Sequence, residues 1–194
     1  GTKLFSEMMA AFQKKHPLVR YQIYSGNAVN IKDYIERGLL DLGVMGEPVD
    51  IRKYEFISMP VKEKWRVLVR ADAELAKKEY VQVEDLIEMP MVIASRDLRS
   101  VLGSWFGDAF DHLHIMAKGN LPYNEAMMVS SGIGIAICIQ LHCAYEDLKF
   151  IPLYPAVETR TALVWKKDQI FPPTTAAFIE FIRQYIADVT DRKK

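Results

Sequence analysis

The stretch SGNAVNIKDYIERGLLDLGVM (residues 25–45) decides how the chain is read. Residues 19–24 before it are β-branched and aromatic, which predicts a strand. Ser25, Gly26 and Asn27 then stand where that strand hands over to a helix. Asn27 or Asn30 can cap the helix, Gly38 ends it, and residues 39–45 form a second apolar strand. A similar phrase returns as KGNLPYNEAMMVSSGIGIAI (residues 118–137). Both run strand, Gly-Asn, helix, Gly, apolar strand. Two readings of the echo stand. Any α/β protein repeats strand, turn and helix. Alternatively, two such edges face each other across a ligand cleft.

The second reading has a physical basis. The C-terminal ends of parallel strands, with the helix N-termini that follow, are where ligands collect. Free N–H groups and the helix dipole favour an anion there. The candidate binding residues on these edges are Ser25, Gly26, Asn27, Met45 and Gly46. From the later part of the chain come Ser95, Arg96, Asn120, Tyr123, Asn124 and Gly132. Arg96 can grip an anion through two parallel hydrogen bonds, or can serve as a surface ion-pair partner.

Working outward, residues 4–12 carry an apolar face of a helix that stops before Pro17. Further strands are expected at 54–59, 65–70, 91–94, 113–117, 133–138, 149–153 and 159–165. Further helices are expected at 84–88, 98–106, 123–129 and 174–189. Strands alternating with helices predict an α/β fold with mainly parallel sheets.

The chain has 194 residues, half of them hydrophobic, with 25 basic and 25 acidic side chains. The balance argues against direct nucleic-acid binding, because phosphate contacts need an excess of cations. Two cysteines, Cys138 and Cys143, are too few for a disulfide framework and read as reduced structural thiols, which fits a cytoplasmic protein. No apolar run has the length of a membrane span, so no membrane partner is expected. There is no G-x-S-x-G, phosphate-binding loop or H-E-x-x-H motif. His112 and His114 have no third ligand at a suitable spacing. Asp41 and Glu47 have no evident proton-transfer partner. We therefore expect no catalytic residues, no metal site and no cofactor.

At this point the chain resembles the effector-binding domain of LysR-type transcriptional regulators. The resemblance rests on FQKKHPLVRYQIYSGN (12–27), IERGLLDLGVM (35–45), VQVEDLIEMPMVIASR (81–96), VSSGIGIAI (129–137) and TALVWKKDQIFPPTTAAFIEFI (161–182), in that order. It implies two α/β lobes of the type 2 periplasmic-binding-protein kind, joined by two crossover strands at about 66–70 and 149–153. The first lobe would be residues 1–68 plus 150–194 and the second residues 69–149. The resemblance also implies a small effector held between the lobes and a homodimer or tetramer. DNA would be reached only through an N-terminal winged helix-turn-helix absent from this chain. The family's first strand and the polar loop after it would precede residue 1. The family's Pro after its G-x-G-I-A strand is replaced here by CIQLH (138–142). An extracytoplasmic solute-binding protein of the same architecture is the alternative.

Overall fold

The computed structural model describes residues 2–94, 98–140 and 145–191. Ser95, Arg96, His142 and Cys143 lie outside the described residues. Among the described residues there are five α-helices: α1 (Thr2–Lys15), α2 (Ala28–Glu36), α3 (Arg99–Phe106), α4 (Pro122–Ser130) and α5 (Pro173–Asp191). Seven strands accompany them: β1 (Gly43–Gly46), β2 (Tyr54–Arg70), β3 (Met91–Ala94), β4 (Ile115–Gly119), β5 (Ile135–Ile139), β6 (Leu148–Pro152) and β7 (Glu158–Lys166).

The chain divides into two compact units. The first is Gly1–Lys62 with Arg160–Lys194, and the second is Glu63–Thr159. The chain leaves the first unit within β2 and returns to it within β7. The stretches at 66–70 and 149–153 expected to cross over both lie in the second unit. The physical reason is pairing: Arg66 to Arg70 are hydrogen-bonded to β6, and Trp65 to Leu68 to β5.

In the first unit, β1 pairs antiparallel with β7, Gly43 opposite Val164 and Gly46 opposite Thr161. Alternation along these strands separates two cores. On one face Met45 and Val164 meet Ile31 and Ile35 of α2. On the other, Leu163 and Trp165 meet Met8 and Phe12 of α1 and Phe178 and Ile182 of α5. Phe12 and Phe178 lie with ring centroids 5.0 Å apart.

In the second unit, β3 is flanked in parallel by β4 and β5, while β2 pairs antiparallel with both β5 and β6. One face is filled by Leu86, Leu102 and Phe106 against Val67, Ile137 and Ile151. The other is covered by Ala126 and Val129 of α4 against Val92, Ala136 and Cys138. Gly134 sits where a Cβ would stand 2.2 Å from the Pro90 carbonyl oxygen, so only glycine lets β5 approach the chain entering β3.

Three expectations need correction. Residues 19–24 form no strand, because none of the backbone groups of residues 20–26 has a backbone partner among the described residues. β-propensity alone does not make a strand without a ladder to join. The strands expected at 54–59 and 65–70 are one continuous 17-residue strand. Among the described residues the sheets are not mainly parallel: β3–β4 and β3–β5 are parallel ladders, whereas β1–β7, β2–β5 and β2–β6 are antiparallel.

Candidate functional site

α2 begins where the chain turns after Ser25 and Gly26. Asn27 is its N-cap, with extended backbone (φ −75°, ψ 167°), and its side-chain oxygen accepts the Asn30 N–H at 2.9 Å. The Asn27 carbonyl accepts the Ile31 N–H at 3.0 Å. The N–H groups of Ala28 and Val29 have no partner among the described residues, which leaves the positive end of the helix open. Tyr24 leans over Gly26: a Cβ there would stand 2.9 Å from Cε1 of the Tyr24 ring. Tyr24 stacks on Tyr34 at 4.7 Å, and the hydrogen bond between them raises the Tyr24 phenol above its ordinary pKa.

At the end of β1, Gly46 is exposed, with open space where a Cβ would be. Beside it the Ser58 hydroxyl donates to the Glu47 carboxylate at 2.6 Å, and the Glu47 N–H donates to the Arg160 carbonyl at 3.0 Å. Met45 does not join this group. It is only 5% exposed and packs against Ile31 and Ile35, because its place in β1 turns it toward α2.

In the second unit, Asn120 follows β4 and is exposed, as are Tyr123 and Asn124 in the first turn of α4. This helix start is built differently from that of α2. Its N-cap is Leu121, with no side-chain cap; Pro122 has no N–H, and the Asn124 N–H is taken by the Leu121 carbonyl at 3.0 Å. α4 therefore offers an anion fewer donors than α2. Gly132 is not at this edge. It has φ +83° and ends α4, a nine-residue helix about 13 Å long, so it lies at the opposite end from Tyr123.

The echo between the two stretches is real at the helix ends. The Gly38 N–H donates to Ile35 and the Leu39 N–H to Tyr34. In the same pattern the Gly132 N–H donates to Val129 and the Ile133 N–H to Met128. Both glycines have positive φ and satisfy the last carbonyls of their helix in the Schellman manner.

One residue escaped the sequence reading. Glu125, in the first turn of α4, is 2% exposed, the single buried charged side chain among the described residues. Its Cγ occupies the space a Cβ on Gly119 would need, at 2.9 Å. Among the described residues, no group of three or more His, Cys, Asp or Glu could hold a metal ion. No described helix is long and apolar enough to cross a membrane.

Comparison with known proteins agrees with this architecture. The LysR substrate binding domain family matches residues 1–187. An uncharacterized HTH-type transcriptional regulator, YwbI of Bacillus subtilis (strain 168), is 24% identical over 194 residues, 97% of this chain. The chain spans 64% of the length of that relative. Among solved structures, the effector binding domain of QuiR in complex with shikimate superposes with a TM-score of 0.84 at 19% identity, covering 95% of this chain and 90% of that one. The regulatory domain of Synechocystis PCC6803 CcmR in complex with 2-PG gives 0.74 at 16% identity, covering 95% and 92%. The shared fold is the type 2 periplasmic-binding-protein-like fold of LysR effector-binding domains. By the match across residues 1–187, this chain belongs to the LysR substrate-binding domain family.

Proposed function

We propose that this chain is the sensing domain of a LysR-type transcriptional regulator. It binds a small anionic effector and passes the event, through the packing of a homodimer or tetramer, to a DNA-binding domain outside residues 1–194. The family match across residues 1–187 is the observation that carries this reading. The relative YwbI is named as a transcriptional regulator, which favours this reading over a transport binding protein.

The anion preference is supported by the open N-terminus of α2, where the N–H groups of Ala28 and Val29, beside Ser25 and Gly26, have no partner among the described residues. The proposed contacts are Ser25, Gly26, Asn27 and Gly46 in the first unit and Asn120, Tyr123 and Asn124 in the second. Ser95 and Arg96 complete the set from outside the described residues. The proposed mechanism is a population shift: the effector binds one arrangement of the units better than another, and that difference in affinity biases the oligomer. A protein of this kind works in the cytoplasm and needs no cofactor.

Two solved relatives hold shikimate and 2-PG, so these open the ligand panel, with sulfate and phosphate beside them and uncharged sugars as controls. The test is calorimetric titration at low ionic strength. The proposal expects saturable binding of at least one anion and none of the uncharged controls. Saturable binding of uncharged ligands alone would overturn the anion assignment.

A further inference from the structure

In the first unit, α1 ends in a basic turn beside the start of α5. The His16 N–H donates to the Phe12 carbonyl at 3.0 Å, and Pro17 cannot continue the helix. The Val19 N–H then donates to the His16 carbonyl at 3.0 Å. Between this turn and α5 lies a cavity of about 700 Å³, a volume within the range of small-molecule sites. Part of its lining is apolar: Phe12 is 2% exposed, Pro173 lies at the start of α5, and Leu18 is 89% exposed. Lys15, His16 and Arg20 line the rest, and all three are exposed. The His16 and Phe12 rings lie with centroids 4.3 Å apart, and Lys15 Nζ is 5.3 Å from the centroid of the Phe181 ring.

Among the described residues no acidic side chain lines this cavity, and no ion pair takes up Lys15, His16 or Arg20. Lys15 and Arg20 thus hold like charges on one cavity with no counter-charge beside them. Leu18 meanwhile leaves apolar surface in water. An inorganic anion would compensate the charges and leave the apolar lining wet. An uncharged apolar molecule would dry the lining and leave the charges uncompensated. A molecule with one negative group on an apolar body does both.

We propose that this cavity is a second ligand site of the first unit and that it takes an amphipathic carboxylate. The carboxylate is held by Lys15 and Arg20, and the aliphatic body lies against Phe12, Leu18 and Pro173. The site shares no residue with the effector contacts proposed above, so the inference does not depend on that reading.

The experiment is a residue-resolved NMR titration of residues 1–194 with octanoate, with hexanoate, octanol and octylammonium beside it. Octanoate should give saturable shifts of the Lys15, His16, Leu18 and Arg20 amides. Hexanoate, two methylenes shorter, should bind roughly fourfold or more weakly. Octanol should bind about fivefold or more weakly, and octylammonium should not bind. Lys15→Gln combined with Arg20→Gln should weaken octanoate by roughly tenfold or more without lowering Tm, because both side chains are exposed. Equal affinity for octanol and octanoate overturns the proposal. So do octanoate shifts that fall at Ser25, Gly26 and Ala28 instead, because the carboxylate then goes to the effector contacts. Shifts of the Lys15–Arg20 amides that follow protein concentration without ligand overturn it too, because a second copy then covers the cavity. A full-length regulator that fails to bind octanoate overturns it as well, because polypeptide outside residues 1–194 is then the occupant.

Discussion

Replacing Asn27 separates the structural from the binding role of the residue at the centre of the proposed site. Its side chain is committed to capping α2 through the 2.9 Å bond from Asn30. α2 is only nine residues long and is anchored by Ile31 and Ile35. Asn27→Ala removes the cap acceptor and should cost about 1 kcal/mol. In a domain of this size that lowers Tm by about 2–4 °C. Asn27→Asp keeps an acceptor and complements the helix dipole, so Tm should hold or rise. It also places a negative charge beside the proposed anion. At about 4 Å in water-like surroundings the repulsion is about 1 kcal/mol, roughly a fivefold loss of affinity. Thermal unfolding and calorimetric titration with the anion panel read the two effects apart. An unchanged Tm in Asn27→Ala refutes the capping argument. Unchanged anion affinity in the stably folded Asn27→Asp protein removes Asn27 from the site.

Three further outcomes follow from the packing. Gly134→Ala drives a Cβ to 2.2 Å from the Pro90 backbone oxygen, which also accepts the Ile135 N–H, and should cost about 3 kcal/mol in chemical denaturation. Leu102→Ala in the second unit and Leu163→Ala in the first each leave a cavity in a fully buried core and should cost 2–5 kcal/mol, roughly, by the same measurement. Burial, followed by a hydrogen bond to Glu36, pushes the Tyr54 phenol up to about 12. Because the folded pKa lies above the unfolded value near 10, the folded chain holds the proton more tightly between the two. This contribution to stability is therefore complete below about pH 10 and is lost as pH rises toward about 12. Denaturation as a function of pH should show that fall, and Tyr54→Phe should remove it.

The elements fixed by local chemistry were legible in the sequence. Gly38 and Gly132 stop their helices because each takes a positive φ that other residues resist. Asn27 caps α2 because a short acceptor at that position reaches the N–H three residues on. What depends on a distant partner was not legible. Residues 19–24 have strand composition, but no neighbouring ladder meets them within the described residues. The parallel expectation failed because β2 pairs antiparallel with β5 and β6, and β7 with β1, and spacing along the chain does not encode direction. Met45 looked like a strand-end contact, but alternation along β1 turns it into the core. Glu125 carried no signal in the sequence reading; its Cγ takes the space that a side chain on Gly119 would need, a contact that depends on a distant partner.

The most direct test of the effector-site account is a residue-resolved NMR titration of the chain with the anion that binds in calorimetry. The account predicts saturable shifts of the backbone amides of Ser25, Gly26, Ala28, Val29 and Gly46, together with those of Ser95, Arg96, Asn120 and Tyr123. Gly132 should stay still. Shifts confined to one of these groups, or lying outside both, would contradict it.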